Sequence, residues 1–170
     1  MNLDGLNTGA LALLVFITAQ RLLELVYARR NVARLMAKGA YEVAPGHYPL
    51  MVLLHSAWIA GLWLLGTGQS VNPLWLGVFV LLQALRFWML AALGERWTTR
   101  ILVLPGAPLI TSGPYRFMRH PNYVVVVGEM AVVPLALGLN IYALVFSVLN
   151  ALVLTIRIRA ENTALAQPPK

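Results

Sequence analysis

Apolar residues are concentrated in five stretches of the chain, at about 9–28, 49–66, 72–93, 122–138 and 140–157. Each stretch approaches the length that an α-helix needs to cross the hydrocarbon layer of a membrane, allowing for tilt and interfacial ends. The second and third stretches are joined by GTGQSV and the last two by GLN, both short and uncharged, which makes each pair a helical hairpin. The pattern predicts an all-α integral membrane protein with about five transmembrane helices.

Composition agrees with a membrane protein and limits its organisation. Of the 170 residues, 59% are hydrophobic and 11% are charged, with a mean hydropathy of +0.73, whereas about a quarter of the residues of a soluble domain are charged. Five spans use most of the chain, so we expect one domain over 1–170, with a three-helix part at 1–93 and a second part at 94–165. The absence of cysteine excludes disulfides and a thiolate nucleophile.

The positive charges predict how the helices are oriented. Eleven of the thirteen Lys and Arg residues lie in a first long loop (29–48), a second long loop (94–121) and the C-terminal tail. The positive-inside rule puts these regions in the cytoplasm, with the N-terminus outside and the C-terminus inside. Asp4 and the lack of a basic start predict that the first apolar run is retained rather than cleaved. Contact with anionic membrane lipid explains the net charge of +7, and no nucleic-acid motif is present.

Each long loop shows a local pattern. In the first, apolar residues fall on one helical face and basic residues on another, which predicts an amphipathic helix in the membrane interface that stops at Gly39. In the second, apolar and β-branched runs flank the turn sequence PGAP. That pattern fits a short β-hairpin before the fourth helix, or an irregular loop.

The stretch GPYRFMRHPNY, at 113–123, gathers many hydrogen-bonding side chains at the end of the second long loop. Pro121 predicts that the fourth helix begins there. The free N–H groups and positive dipole of a helix start attract a carboxylate or phosphate, and Arg116, Arg119 and His120 surround this one. The alternative is that the basic residues follow the positive-inside rule, the tyrosines form an interfacial belt and His120 caps the helix.

A second polar group, RIRAENTAL, follows the last apolar stretch on the same side of the membrane. Four-residue spacing puts Arg157 and Glu161 on one helical face, with Arg159 pointing away. Taken alone, that spacing favours an ordinary ion pair on the helix surface. Two polar groups at one interface favour a functional site.

Several polar residues lie inside the apolar stretches. Arg86 and Glu129 are at matching depth, which predicts an ion pair that serves the structure or lines a ligand cavity. Arg21 and Glu24 are expected to pair within the first helix, and His55 to hydrogen-bond between helices. The three histidines lack ligand spacing with carboxylates, so we expect no metal site.

The sequence TSGPYRFMRHPNY, followed by a helical hairpin and RIRAENTAL, closely resembles the isoprenylcysteine carboxyl methyltransferase family over roughly 94–165. Members are integral membrane enzymes that use S-adenosylmethionine and are related to the phospholipid N-methyltransferases. The resemblance implies that the cofactor contacts Ala107, Pro108, Leu109, Ile110, Tyr115, Arg119, His120, Pro121, Asn122 and Glu161 in a cytoplasmic-side pocket, and Tyr123 offers a further aromatic face.

The same resemblance implies that Arg157 faces the methyl acceptor. We expect Arg86 and Glu129 to line the acceptor cavity if they serve more than structure. Methyl transfer needs no nucleophile from the protein, because a carboxylate acceptor requires only an arginine to hold it. A phenol or enol acceptor benefits from a base, for which His120 and Glu161 are the candidates, so the expected catalytic residues are Arg157, Glu161 and His120.

The first half of the chain resembles a small bacterial branch of the family, in some members encoded beside type III polyketide synthases. That likeness implies the bacterial cytoplasmic membrane and a lipophilic acceptor, either a prenylcysteine-like carboxylate or the hydroxyl of a phenolic or pyrone lipid. Eukaryotic members tend to have His at Ala107 and Glu at Asn162, and those departures concern the acceptor more than the cofactor. Two alternatives are an NADPH-dependent reductase of the steroid-reductase type and a non-catalytic membrane component.

Overall fold

The computed structural model describes the backbone of residues 6–166 and the side chains of residues 6–161. Asp4, the tail lysine Lys170 and the side chain of Asn162 lie outside that part. The described chain contains five α-helices: α1 Thr8–Ala37, α2 Tyr48–Gly66, α3 Pro73–Leu93, α4 Pro121–Ala136 and α5 Asn140–Ala166. Four of these, α1, α2, α3 and α5, have the length and composition of membrane spans, and α4 is a shorter apolar helix. The prediction of an all-α, multi-pass membrane protein is confirmed.

Local signals in the sequence set the helix starts. Asn7 accepts a hydrogen bond from the Ala10 amide at 3.1 Å, and Asn72 accepts one from Leu74 at 2.9 Å, so each asparagine caps a helix. Helix α4 begins at Pro121, as the sequence predicts. Proline suits this position because the first residues of a helix have no intrahelical acceptor for their N–H groups.

The amphipathic segment of the first long loop is not a separate interfacial helix, and that expectation is wrong. It forms the last turns of α1, which runs unbroken for 30 residues and ends just before Gly39, at a φ of +89°. No helix breaker precedes Gly39, so the hydrogen-bonded ladder continues. Asn31, buried on this extension, donates to the carbonyl oxygens of Gly94 at 3.1 Å and Trp97 at 2.9 Å. The extension therefore packs its Asn31 face on the second long loop.

The second long loop contains one short strand, but no hairpin forms around PGAP in the described chain. Strand β1, Tyr41–Glu42, pairs antiparallel with strand β2, Leu102–Val103. Arg100 Nη1 lies 2.8 Å from Glu42 Oε2 beside this pair. Strand β2, after α3, thus pairs with a strand of the first long loop, and the two long loops together cover the helix ends. We call this side the loop end of the bundle.

The larger apolar cluster lies towards the opposite end of the helices from the two long loops, and a smaller one of Ala28, Met89 and Trp97 lies at the loop end. Helix α4 packs against both α3 and α5, and its buried face carries Met130, Val133 and Ala136. Helix α2 approaches α5 at Gly61, where an added Cβ would lie 2.3 Å from the Tyr142 hydroxyl. Packing against α3 on one side and α5 on the other holds α4 between its neighbours.

The buried charges form one network across α1, α3 and α4. Arg86 is fully buried, and its guanidinium donates to Glu129 at 2.9 Å and to Glu24 at 2.9 Å. Arg21 pairs with Glu24 at 3.1 Å and also contacts Glu129, which accepts a further hydrogen bond from Gln83 at 2.7 Å. Both predicted ion pairs are confirmed. Two cations balance two anions, as burial of charge in a membrane protein requires.

Candidate functional site

A polar cavity of about 190 Å³ lies at the loop end, between the second long loop, the start of α4 and the end of α5. Seven of the predicted site residues line it: Tyr115, Arg119, His120, Asn122, Tyr123, Arg157 and Glu161. They come from two sequence segments separated by a helical hairpin. The structure therefore brings together the two polar groups that the sequence suggested would meet.

A tight turn positions Tyr115 at this cavity. The 3₁₀-helix Gly113–Arg116 begins at a φ of +60°, and an added Cβ at Gly113 would lie 2.7 Å from Ala92 at the end of α3. Glycine is required there by both the conformation and the contact. Burial raises the pKa of the Tyr115 phenol, with the Glu161 carboxylate as a further cause, so this hydroxyl stays protonated and able to donate.

His120 precedes the first residue of α4, with its ring stacked on Tyr123 at a centroid distance of 5.1 Å. It makes no capping hydrogen bond to α4 in the described structure. Its Nδ1 lies 4.0 Å from Glu161 Oε1. Tyr123 is buried and so does not belong to an interfacial aromatic belt. These contacts favour a site over the alternative of helix cap and aromatic belt.

Tyr123 connects the two residues that α5 contributes. Its hydroxyl donates to Glu161 Oε2 and accepts from Arg157 Nε at 3.3 Å. Arg157 is only 7% exposed, and its Nη1 donates to the Thr99 carbonyl oxygen at 2.8 Å. Among the described side chains, no direct ion pair joins Arg157 to Glu161. The one-face geometry is correct, but the surface ion pair is wrong, because the Tyr123 phenol lies between the two groups.

The predicted stretch Ala107–Ile110 lies at the edge of the polar cavity and does not line it. Leu109 is 72% exposed. One contact links the stretch to the cavity, since the Arg96 side chain lines the cavity and donates to the Pro108 carbonyl oxygen. Pro121 is buried beneath the site and does not line the cavity either. Roles for these residues in cofactor binding remain predictions.

A second, mostly apolar cavity of about 160 Å³ lies beside the first, among α1, α2, α4 and α5. The two cavities share five lining residues: Trp97, Thr98, Asn122, Tyr123 and Arg157. Arg86 lines the apolar cavity, together with Arg21 and Glu24 of the charge network. Glu129 does not, and its carboxylate is bonded by Arg21, Arg86 and Gln83. For Glu129 the geometry favours the structural alternative.

Sequence reasoning missed several residues that line the cavities. Trp97 and Thr98 follow α3 directly, and their place in the site depends on how the second long loop folds back. Asn150 of α5 lines the apolar cavity and is 1% exposed. A signal for it was present, because Asn150 precedes Arg157 by seven residues, two helical turns, and so lies on the same face.

The described residues contain no group of three or more His, Asp or Glu side chains placed to hold a metal ion. The site instead combines cations, one acid and aromatic rings. Two buried polar atoms at the boundary between the cavities, Trp97 Nε1 and Asn122 Oδ1, have no hydrogen-bond partner in the described chain. A bound molecule with one acceptor and one donor would satisfy both.

The fold and the two adjoining cavities define a multi-pass membrane protein with a polar cavity beside an apolar one. The model of the isoprenylcysteine carboxyl methyltransferase family matches residues 75–167, more than half of the chain. The chain belongs to this family of membrane methyltransferases. It is 36% identical over 160 residues to an uncharacterized protein, YpbQ, of Bacillus subtilis (strain 168), covering 91% of this chain and 95% of the relative.

A further relative is an uncharacterized protein of Haemophilus influenzae (strain ATCC 51907 / DSM 11121 / KW20 / Rd). It is 27% identical over 161 residues, which cover 88% of this chain and 91% of the relative. No solved structure matches the chain. Both relatives align with nearly the whole chain, including the N-terminal helices that the family model does not reach.

Proposed function

We propose that the protein is an S-adenosylmethionine-dependent methyltransferase that binds the methyl donor in the polar cavity and a lipophilic acceptor in the apolar cavity. The main support for this proposal is that the two cavities adjoin and share Tyr123, Asn122 and Arg157. Methyl transfer depends on holding two reactants in line, about 3 Å apart. Two compartments of opposite polarity that meet at one boundary provide that arrangement for a polar donor and an oily acceptor.

The residues of the polar cavity fit the chemical groups of the donor. The start of α4 and Arg119 suit its carboxylate, and Glu161 suits its ammonium group. Tyr115 offers an aromatic face. The unpartnered Trp97 Nε1 and Asn122 Oδ1 supply one donor and one acceptor for the polar groups of the nucleoside. When bound, the cofactor supplies an electrophilic methyl group.

The chain's own residues orient the acceptor and take its proton where one is released. Arg157 holds an acceptor carboxylate, which is already a nucleophile. A hydroxyl acceptor must lose a proton, and the Tyr123 phenol relays it to Glu161, to which it is hydrogen-bonded. His120, next to Glu161, is the other candidate base. The apolar lining of the acceptor cavity excludes water and so strengthens the positioning.

The proposal includes an orientation in the membrane. The basic loops support a loop end that faces the cytoplasm of a bacterium, with the N-terminus outside and the C-terminus inside. The donor then enters from the cytosol, while the acceptor enters from the lipid between helices. Bound partners are thus the small lipophilic acceptor and membrane lipid.

Purified protein in lipid, incubated with methyl-labelled S-adenosylmethionine and a lipid extract, should yield a labelled, membrane-soluble product. Ultraviolet crosslinking of the labelled donor should be reduced in Glu161→Gln and unchanged in Phe117→Ala, an exposed residue that lines neither cavity. Crosslinking of labelled NADPH at the same cavity, with none of the methyl donor, would overturn the proposal in favour of a reductase.

A further inference from the structure

The apolar cavity contains an amide that the rest of the protein does not satisfy. Asn150 lines this cavity and is 1% exposed. Its Nδ2 is buried and has no hydrogen-bond partner in the described chain. Buried side-chain amides are nearly always hydrogen-bonded, and most strictly so inside a membrane. The Nδ2 donor is therefore unsatisfied on a residue that lines the cavity, where a bound ligand could pair with it.

Two further polar groups line the cavity together with Asn150. The terminal nitrogens of Arg21 bond Glu24 and Glu129, but its Nε is buried without a partner in the described chain. His55 Nδ1 lies 2.9 Å from the Met51 carbonyl oxygen, one turn earlier in α2, so this hydrogen bond lies within the helix and not between helices as predicted. Since a carbonyl only accepts, Nδ1 carries the hydrogen, and Nε2 of the neutral ring is an acceptor. The cavity thus offers donors at Arg21 and Asn150 and an acceptor at His55.

Two of these groups, Asn150 and His55, are separated from the loop-end part of the cavity by a fixed distance along their helices. Asn150 precedes Arg157 in α5 by seven residues, and His55 follows Tyr48 in α2 by seven residues, which is about 10 Å in each case. Arg157 and Tyr48 both line the loop-end part of the same cavity. Asn150 and His55 therefore lie about two helical turns deeper than the loop end of the cavity, and the apolar lining residues Met51, Val52, Val153 and Leu154 lie between.

We infer that the acceptor carries a second oxygen, a neutral hydroxyl or carbonyl, about 10 Å from the oxygen that is methylated, and that Asn150 binds it. The inference rests on the proposed function and specifies its substrate class. A plain hydrocarbon tail would leave the Asn150 amide and Arg21 Nε unpaired. The charges of Arg21, Arg86, Glu24 and Glu129 already balance, so a neutral group fits better than a second carboxylate.

Matched pairs of small acceptors test the inference. One pair is octanoic acid and 8-hydroxyoctanoic acid, whose two oxygen-bearing ends are about 10 Å apart when extended. The other pair is 4-propylphenol and 4-(3-hydroxypropyl)phenol, which covers a phenolic head. Binding is measured by calorimetric titration into the full-length protein in detergent, without methyl donor, so that it does not depend on turnover.

In the wild-type protein the hydroxylated member of at least one pair should bind about tenfold more tightly than its partner. Asn150→Leu, which keeps the size of the side chain, should abolish that preference, and Asn150→Ala serves as a second variant. Thr155→Val is the control, because Thr155 lies on the same helix, is exposed and lines none of the cavities. Thermal denaturation of each variant checks that the fold is retained.

The outcomes separate the inference from the proposed function. Equal binding within both pairs, no binding of any probe, or a preference that survives in both Asn150 variants would overturn the inference. Labelled-donor assays are then run on the same probes. Methyl transfer to the plain members without a hydroxyl preference leaves the proposed function intact and removes the inference. A preference lost in Asn150→Leu without any methyl transfer supports the binding site and counts against the proposed function.

Discussion

The phenol of Tyr123 donates its hydrogen to the carboxylate of Glu161, joining the first turn of α4 to the last turns of α5. The same oxygen accepts from Arg157. Tyr123 is one of the residues that both cavities share, so one hydroxyl contacts the acid expected at the donor and the cation expected at the acceptor. This contact relates the two compartments chemically as well as spatially.

Tyr123→Phe should lower turnover by roughly tenfold or more, because it removes the bond that orients Arg157 and Glu161. We expect the donor's dissociation constant to change less than the rate. Steady-state kinetics and donor titration measure the two effects. Tyr142→Phe is the matched control, since the Tyr142 hydroxyl donates to the Trp58 carbonyl oxygen at 2.7 Å and lines neither cavity. Equal rate losses in both variants would contradict a specific role for the Tyr123 hydroxyl.

His120→Ala and Tyr115→Ala should weaken donor binding more than acceptor binding, because both residues line the polar cavity and neither lines the apolar one. Isothermal titration with S-adenosylmethionine gives the donor affinity, and a separate titration with an acceptor analogue gives the acceptor affinity. Phe117→Ala, within the same segment and exposed, should leave both affinities unchanged. Unchanged donor affinity in both site variants would count decisively against this donor site.

The helices could be predicted from the sequence and the loop contacts could not. Helix starts such as Pro121 can be predicted from the local sequence, because hydropathy, proline and capping residues act over a few positions. The pairing of Tyr41–Glu42 with Leu102–Val103 joins residues about sixty positions apart. So does the bond from Asn31 to Trp97. No local pattern shows which distant segments will contact each other. For this reason the sequence patterns predict a hairpin and a separate interfacial helix instead.

The residues of the candidate site also fall into two groups, those that the sequence identifies and those that it does not. Residues that carry charge or a distinctive motif, such as His120 and Glu161, were identified from sequence. Neutral residues that acquire a role only through burial, such as Trp97 and Asn150, were not. Their contribution depends on the second long loop closing over the helices and on which face α5 turns inward.

Arg86 and Glu129 should couple energetically. Loss of one partner leaves a buried charge uncompensated, which costs about 3–5 kcal/mol, while removing both leaves Arg21 and Glu24 as a balanced pair. In a cycle of Arg86→Met and Glu129→Gln, the double variant should therefore lose less stability than the sum of the single losses. Thermal or chemical denaturation in detergent measures the cycle. The exposed pair Arg100 and Glu42 is the control and should be nearly additive.

The topology can be checked independently of activity. We expect a reporter fused after the last residue, Lys170, to report a cytoplasmic location, and one fused before Met1 to report an external one, because the basic loops lie on one side. A periplasmic signal from the C-terminal fusion would reverse the orientation. It would also place the polar cavity away from the cytosolic pool of methyl donor.

Arg157 and Glu161 lie on one helical face and both hydrogen-bond to the Tyr123 hydroxyl, yet we assign them to different ligands. Arg157→Ala should raise the acceptor's KM or lower turnover while nearly preserving donor affinity, because Arg157 lines both cavities and Glu161 lines only the polar one. Glu161→Gln should weaken the donor. Arg159→Ala, an exposed residue that lines neither cavity, is the control and should leave the kinetics nearly unchanged. Equal kinetic damage from Arg157→Ala and Arg159→Ala would show that the face assignment, and with it the division of roles, is wrong.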